Sequence, residues 1–316
     1  MDVHTRQLRY FVTVAEELSF TRAAQRLYVT QQGLSAQIKQ LEQALGVVLF
    51  SRTTRNVELT AAGASFFKEV RYGLTRLDAA VERAQSVHRN EQDRLTLGCM
   101  EGAALTLTEP ILSAFRERHP DVSLELRQFG YDDPSAGLRS GAVDVAIVRH
   151  PFVYEGLEFE RLFAEPLVVM LPVGHRLAGR AGVLAREIAE EPMLGASCSD
   201  PVWNAFWEFD IHREGRPAQI ISRSSTLLEE LHKVATGQGI VITVACVRWI
   251  PFPGVKLSPV IDAEPNEVAV GWRVDHRTAL VRSFIDIART VRDEHPELVA
   301  QLEEPDFLDC TLPLHL

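Results

Sequence analysis

Apolar residues in the first part of the chain recur at helical spacing. Leu8, Phe11, Val12, Ala15 and Leu18 fall at i, i+3, i+4, i+7 and i+10, the stripe of an amphipathic helix. Ser19 can cap a second helix carrying Phe20, Ala23, Ala24 and Leu27, whose paired alanines allow close approach of another backbone. Thr30 can cap a third, with Leu34, Ile38, Leu41 and Leu45 on its apolar face and Gly46 as its stop. Three short helices, the last two joined by a brief turn, make a helix-turn-helix. Val47–Phe50 and Val57–Leu59 then read as two short strands around a loop at 51–56, the wing of a winged helix.

Thr60 caps a long helix running to about residue 90. Its Phe67, Val70, Leu74, Leu77, Val81 and Ala84 alternate steps of three and four, a heptad seam. No other helix of so small a domain is expected to cover this seam, so it predicts self-association.

The third helix is unusual on its polar side. Its sequence, with the cap, is TQQGLSAQIKQLEQAL, and Gln32, Ser35, Ala36, Lys39 and Gln43 lie opposite Leu34, Ile38 and Leu41. Amides, a hydroxyl and one ammonium can pair with base edges in the major groove, where a carboxylate face would be repelled by phosphate. Thr21, Thr30 and Gln31 are further candidates at this end of the motif, and Arg52 and Arg55 in the wing are placed to reach phosphates or a minor groove. The alternative for the polar face is a merely solvated surface.

Beyond residue 90 the pattern becomes strand–helix alternation. RLTLG (94–98), VSLELRQF (122–129), DVAIV (144–148), LEFERLF (157–163), PLVVMLPV (166–173), AQIIS (218–222), GIVITVA (240–246) and EVAVGWRV (267–274) read as strands. Helices are expected over 103–118, 134–140, 184–190, 200–209, 226–236 and 278–294. This alternation predicts α/β units around mainly parallel sheets.

Charge divides the chain in the same place. Residues 1–90 hold 12 lysines and arginines against 8 aspartates and glutamates, a surplus of +4, which leaves −14 on the remainder of a chain whose net charge is −10. A basic segment on an acidic body suggests two jobs, with the polyanion partner on the basic part. No apolar run is long enough to span a bilayer, and MDVHTRQLRY has neither an apolar core nor a cleavage site of the secretory type. Four widely spaced cysteines without a CxxC pair suit a reducing cytoplasm and argue against a zinc site or a disulfide framework.

Residues 6–63 resemble the DNA-binding region of the LysR-type transcriptional regulators. The likeness lies in FVTVAEELSFTRAAQRL (11–27), TQQGLSAQIKQLEQALG (30–46), LFSR (49–52) and LTAAG (59–63). Gln32-Gly33 stands where Pro-Ala is frequent in that family, and Ala36 where Arg is frequent. LSAFRERHPDVSLEL (112–126), GAVDVAIV (141–148), LVVMLPVGHRLA (167–178) and ATGQGIVI (235–242) are similar to the family's effector-binding region.

The resemblance implies an all-α winged helix-turn-helix with a long linker helix, followed by an α/β body of two periplasmic-binding-protein-like lobes. The implied divisions are a DNA-binding domain (1–60), a linker and dimerisation helix (61–90), an effector-binding domain (91–294) and a tail (295–316). Lobe 1 would comprise about 91–164 and 266–294, and lobe 2 about 165–265. Double-stranded DNA and a small-molecule effector are the implied partners, with homodimers, homotetramers and RNA polymerase as further ones; no cofactor is implied.

An effector is expected in the inter-lobe cleft, where helix N-termini and strand ends converge. The candidates are Met100, Glu101, Gly102, Phe129, Arg149, Ser197, Ser199, Trp203 and Thr226. Arg149 could bind a carboxylate or form a structural salt bridge. Ser199, Asp200 and Thr226 could instead cap helices, and Trp203 could belong to the core. Among enzyme signatures, GxSxG, HExxH, GxGxxG and GKS/T are absent. Cys99, expected near a helix start, leaves redox sensing as an alternative, with an enzyme or solute-binding body as another.

Overall fold

The computed structural model describes residues 3–52, 57–89, 94–100 and 104–306. Two compact units divide at residues 90 and 91. The first contains α1 (Thr5–Glu17), α2 (Phe20–Arg26), α3 (Gln31–Leu45), β1 (Phe50–Arg52), β2 (Val57–Leu59) and α4 (Ala61–Arg89). Ser19 and Thr30 cap α2 and α3 by accepting from Arg22 and Gly33, and Gly46 ends α3 in the left-handed conformation. Phe11, Val14, Phe20, Leu34, Ile38, Leu41 and Leu49 form its core. Strands β1 and β2 pair antiparallel, Phe50 opposite Leu59.

The second unit contains β3 (Arg94–Cys99), α5 (Thr108–Arg118), β4 (Ser123–Gln128), β5 (Val145–Arg149), β6 (Leu157–Glu165), β7 (Leu167–Pro172), α6 (Ala185–Ile188), β8 (Met193–Ala196) and α7 (Pro201–Trp207). It continues with β9 (Ile220–Ser224), α8 (Leu227–Ala235), β10 (Val241–Val244), β11 (Val255–Pro259), β12 (Asn266–Arg273), α9 (Ala279–Glu294) and α10 (Pro296–Glu303). One sheet has the order β4-β3-β5-β12-β6, a second β10-β7-β11, and β8 pairs with β9. Each lobe has its own apolar core, one around Phe115, Ile147, Val270 and Phe284, the other around Val169, Leu171, Ile188 and Ile242. The chain leaves the larger sheet at Pro166 and returns between Pro259 and Asn266.

Three expectations need correction. The sheets are mixed: β3 runs parallel to β4 and β5, but β12 is antiparallel to β5 and β6, and β7 is antiparallel to β10 and β11. Asn266 at the start of β12 pairs with Glu165 at the end of β6, so the returning strand enters where the outgoing one left and must run the other way. Residues 134–140 form turns rather than a helix. The Asp133 carboxylate accepts from the Ser135 and Gly137 amides and the Ser135 hydroxyl, while Ala136 and Gly137 take positive φ, which breaks a helical run. The helix expected from residue 103 begins only at Thr108, after a 3-10 turn at Leu105–Leu107.

The described part of the tail packs on the body: Leu302 of α10 is fully buried in the first lobe's core, and Glu303 accepts from the Ala164 amide at 2.9 Å. No helix among the described residues is long and apolar enough to cross a membrane.

A Cβ added at Gly63 would lie 2.0 Å from the Leu49 carbonyl oxygen, a backbone atom that cannot swing aside. Gly63→Ala should therefore destabilise the protein by about 1–3 kcal/mol in thermal or denaturant unfolding. Gly73→Ala, in open space on α4, should instead leave stability unchanged or raise it by up to about 1 kcal/mol. Equal effects of the two would contradict the close approach of α4 to the segment before β1.

Candidate nucleic-acid interface and ligand cavity

Helix α3 is held from one side. Leu34, Ile38 and Leu41 are fully buried, while Gln31, Gln32, Ala36, Lys39 and Gln43 are exposed and Ser35 is half-buried. The Thr21 hydroxyl at the start of α2 donates to Gln31 Oε1 at 3.2 Å, so these two candidates are in contact. Thr30 serves as the α3 cap. Glu42, the only carboxylate of α3, is turned away from the exposed face that carries Gln32 and Lys39. Its Oε1 accepts from the backbone amides of Leu49 and Phe50 at 2.8 and 3.2 Å, tying α3 to β1. Thr60 completes the clamp, donating to the Val48 carbonyl at 2.7 Å and accepting from the Gly63 amide at 2.9 Å. Arg52 lies on β1, but its side chain and all of Arg55 fall outside the described residues.

The seam of α4 divides into two parts. Val70 and Leu74 are buried and Phe67 packs against the same core, its ring 6.4 Å from that of Phe11. The expectation that nothing in this unit covers the seam is thus wrong for its first half, because α1 lies against it, with Arg9 paired to Asp78. Leu77 and Val81 are 43% and 48% exposed. The side chain of Ala84 lies outside the described residues.

In the second unit, a cavity of about 80 Å³ lies between the lobes, where about 10–15 Å³ suffices for one water. Met100, Tyr131 and Arg149 line it from the first lobe; β8, α7, α8 and β10 supply Leu194, Trp203, Trp207, Glu230, Val241 and Thr243 from the second. Hydrogen bonds between the lobes lie on and beside it. The Tyr131 hydroxyl donates to Glu230 Oε2 at 3.1 Å. Asp200 Oδ2 accepts from Arg139 at 3.3 Å and from the Val153 amide at 2.9 Å, while its Oδ1 caps α7 through the Val202 and Trp203 amides. The indole N–H groups of Trp203 and Trp207 are buried without an acceptor among the described residues.

The back of the cavity is the double crossing. Arg149 Nη1 lies 2.9 Å from Glu165 Oε2 and donates to Asn266 Oδ1 at 3.2 Å. The Cys246 amide donates to the other Glu165 oxygen, and the Asn266 amide to the His150 carbonyl. Burial pulls the Arg149 guanidinium toward neutrality, but Glu165 more than offsets it and holds the group above the usual arginine range. Burial, with Glu165 beside it, pushes the Cys246 thiol up; burial also raises Cys198, to about 11.

Of the residues singled out in the sequence, Met100, Arg149 and Trp203 come together on this cavity. Arg149 is at the same time the salt bridge foreseen as its other role. Phe129 packs into the cluster between the lobes, over Gly137, rather than on the cavity wall. Ser197 and Ser199 are exposed, and Thr226 is the exposed cap of α8, accepting from the Glu229 amide. Glu101 and Gly102 lie outside the described residues.

Cys99 ends a strand instead of opening a helix, and burial raises its pKa, the reverse of what a reactive thiolate needs. Tyr131, Glu165, Glu230 and Asn266 were not anticipated. Glu230 carried a signal: it falls on the apolar face of α8 with Leu227, Leu231 and Val234, an odd place for a carboxylate.

Residues 5–64 match a family model described as the bacterial regulatory helix-turn-helix protein, lysR family, and residues 88–293 match the LysR substrate binding domain. The chain is 34% identical over 281 residues to the uncharacterized HTH-type transcriptional regulator YnfL of Escherichia coli, covering 87% of this chain and 92% of that protein. It is 31% identical over 288 residues to the transcriptional regulator AlsR of Bacillus subtilis, covering 90% and 94%. In structure it is similar to a hydrogen-peroxide-bound mutant of Corynebacterium glutamicum OxyR, with 26% identity, a TM-score of 0.51 and coverage of 95% and 96%.

Removing one member of the buried pair strands the other. Arg149→Met should cost about 3–5 kcal/mol in denaturant unfolding. The double variant Arg149→Met, Glu165→Gln should lose less than that single one, because glutamine still accepts from Cys246 without a buried charge. Additive losses would mean that the two side chains do not interact.

Proposed function

The chain belongs to the LysR-type family of transcriptional regulators, and we propose that the outer face of α3 reads the operator while the inter-lobe cavity holds the controlling molecule. That it is a DNA-binding regulator with an effector-binding domain follows from the family; its relatives are regulators rather than enzymes. The observation that carries the residue assignment is the one-sided burial of α3, which leaves Gln32, Ser35 and Lys39 together on a surface with no carboxylate. Glutamine matches adenine N6/N7, lysine guanine O6/N7, and the serine hydroxyl several edges. Thr21, Thr30, Gln31 and Ala36 border this face, and Arg52 and Arg55 are assigned to phosphate contact from the wing.

Residues 1–60 are assigned to DNA binding, 61–90 to linkage and dimerisation, 91–294 to effector binding, and 295–316 to a tail that, through α10, belongs with the first lobe. The exposed half of the α4 seam supports a homodimer, since two winged helices reading two half-sites require two copies. A homotetramer formed by a second pairing of the bodies, RNA polymerase as the partner through which transcription would respond, and a cytoplasmic location, which the DNA target supports, complete the reading. Control requires that ligand binding favour one arrangement of the assembly over another.

Selection of genomic fragments by the purified protein at two salt concentrations tests the reading. An inverted repeat enriched at both is expected; only salt-sensitive, sequence-blind binding would contradict it. On the selected site, Gln32→Ala and Lys39→Ala should each relax base preference at one position by roughly 1–3 kcal/mol. Leu77→Asp combined with Val81→Asp should shift sedimentation toward the monomer and weaken binding to the full repeat more than to a half-site. Unchanged sedimentation would remove α4 as the dimer contact.

A further inference from the structure

Helix α7 carries two tryptophans, Trp203 and Trp207, four residues apart and so on one face. Asp200 fixes the start of that helix. Its Oδ1 accepts from the Val202 and Trp203 amides at 3.1 Å, and its Oδ2 accepts from the Val153 amide of the first lobe at 2.9 Å. Both indoles line the cavity, with ring centroids 5.4 Å apart, and Trp203 is 3% exposed. The N–H groups of both are buried, and neither has an acceptor among the described residues.

A buried indole N–H ordinarily finds a partner, and leaving one unpaired costs more than the bond itself contributes. Phenylalanine would cover the same wall without that cost. Other donors on the wall are already engaged. The Tyr131 hydroxyl donates to Glu230 Oε2, while the Arg149 guanidinium donates to Asn266 and pairs with Glu165. Around the indoles the surface is apolar, with Met100, Leu194, Leu227 and Val247. At about 80 Å³ the cavity has room for a compact molecule.

We propose that the cavity takes a compact, apolar molecule bearing a carbonyl-type oxygen, and that Trp203 and Trp207 donate their indole N–H groups to that oxygen. The proposal rests on the reading of the cleft as the effector site. A carbonyl or carboxylate oxygen has two lone pairs and can accept from both indoles, while the apolar remainder lies against the aliphatic wall. That wall carries groups of both signs, Arg149 and Glu230, so the indole donors rather than net charge define the ligand class.

Three probes share one ring: cyclohexanone, methylenecyclohexane, in which a CH2 group replaces the oxygen, and cyclohexanecarboxylate. Their affinities for the full-length protein are measured by equilibrium dialysis, for the wild type and for Trp203→Phe and Trp207→Phe. Phenylalanine keeps an apolar ring and loses the N–H, and binding of the hydrocarbon reports whether the cavity survives. Relative to the hydrocarbon, the affinity of at least one oxygen probe is expected to fall about three- to tenfold in each variant. The probe that falls further identifies the acceptor as neutral or anionic. Equal weakening of all three probes would overturn the donor role of the indoles and leave the cleft as the effector site. Binding of all three that neither substitution changes would place the site elsewhere and overturn the cleft assignment. No binding by any probe would overturn the ligand class.

Discussion

The effector-binding unit depends on a buried charge pair at the point where its chain crosses between lobes. Arg149 ends a strand of the first lobe, Glu165 ends the outgoing crossing strand, and Asn266 opens the returning one. Taking both charges out of water is costly, and the arrangement persists because nearly every polar atom there has a partner within the same knot. The pair therefore does little for stability by itself and much for register. It fixes where the two crossing strands meet, and with them the back wall of the cavity. The contacts at the front are of another kind. Tyr131 to Glu230, and Asp200 to Arg139 and the Val153 amide, are hydrogen bonds between side chains or a side chain and backbone of different lobes, away from the charge pair at the crossing.

A related economy governs the DNA-binding unit. A helix that enters a groove can be supported only from behind, so everything that positions α3 must act on its inner face or its ends. Leu34, Ile38 and Leu41 supply the inner face, Thr30 the first turn, and Glu42 the strut to β1. Removing the single carboxylate from the outer face also removes its repulsion of phosphate. The glutamines are then free to offer paired donor and acceptor groups without charge. Lys39 is the one cationic side chain of the helix itself.

Much of this was legible in the sequence where the physics is local. Helix caps at Ser19 and Thr30, the stop at Gly46, the second wing strand and the apolar stripe of α3 are all short-range patterns, and the family motifs reinforce them; the first wing strand, expected at 47–50, lies instead at Phe50–Arg52. What was not legible is contact between distant segments. Nothing near Phe67 or Val70 announces that α1 will cover them, so the seam of α4 read as wholly free although Phe67, Val70 and Leu74 pack into the core of their own unit. Arg149 stood at a strand end with two possible fates, and only the meeting of residues 149, 165 and 266 decides between them. The antiparallel entry of β12 has the same origin, in a chain that leaves a sheet and comes back. Ser197, Ser199 and Thr226 attracted attention as hydroxyls near helix starts, but such residues serve caps as readily as ligands, and Thr226 is a cap. Glu230 was the readable exception, a carboxylate on an apolar helix face.

The central claim is that α3 reads bases from within the major groove. Methylation interference tests it most directly: operator DNA lightly methylated at guanine N7, which faces the major groove, is divided into bound and free fractions and the excluded positions are mapped. Loss of binding at guanines clustered in two half-sites about one helical turn apart is the predicted result. Binding indifferent to N7 methylation throughout the site would contradict a major-groove position for the glutamine-rich face.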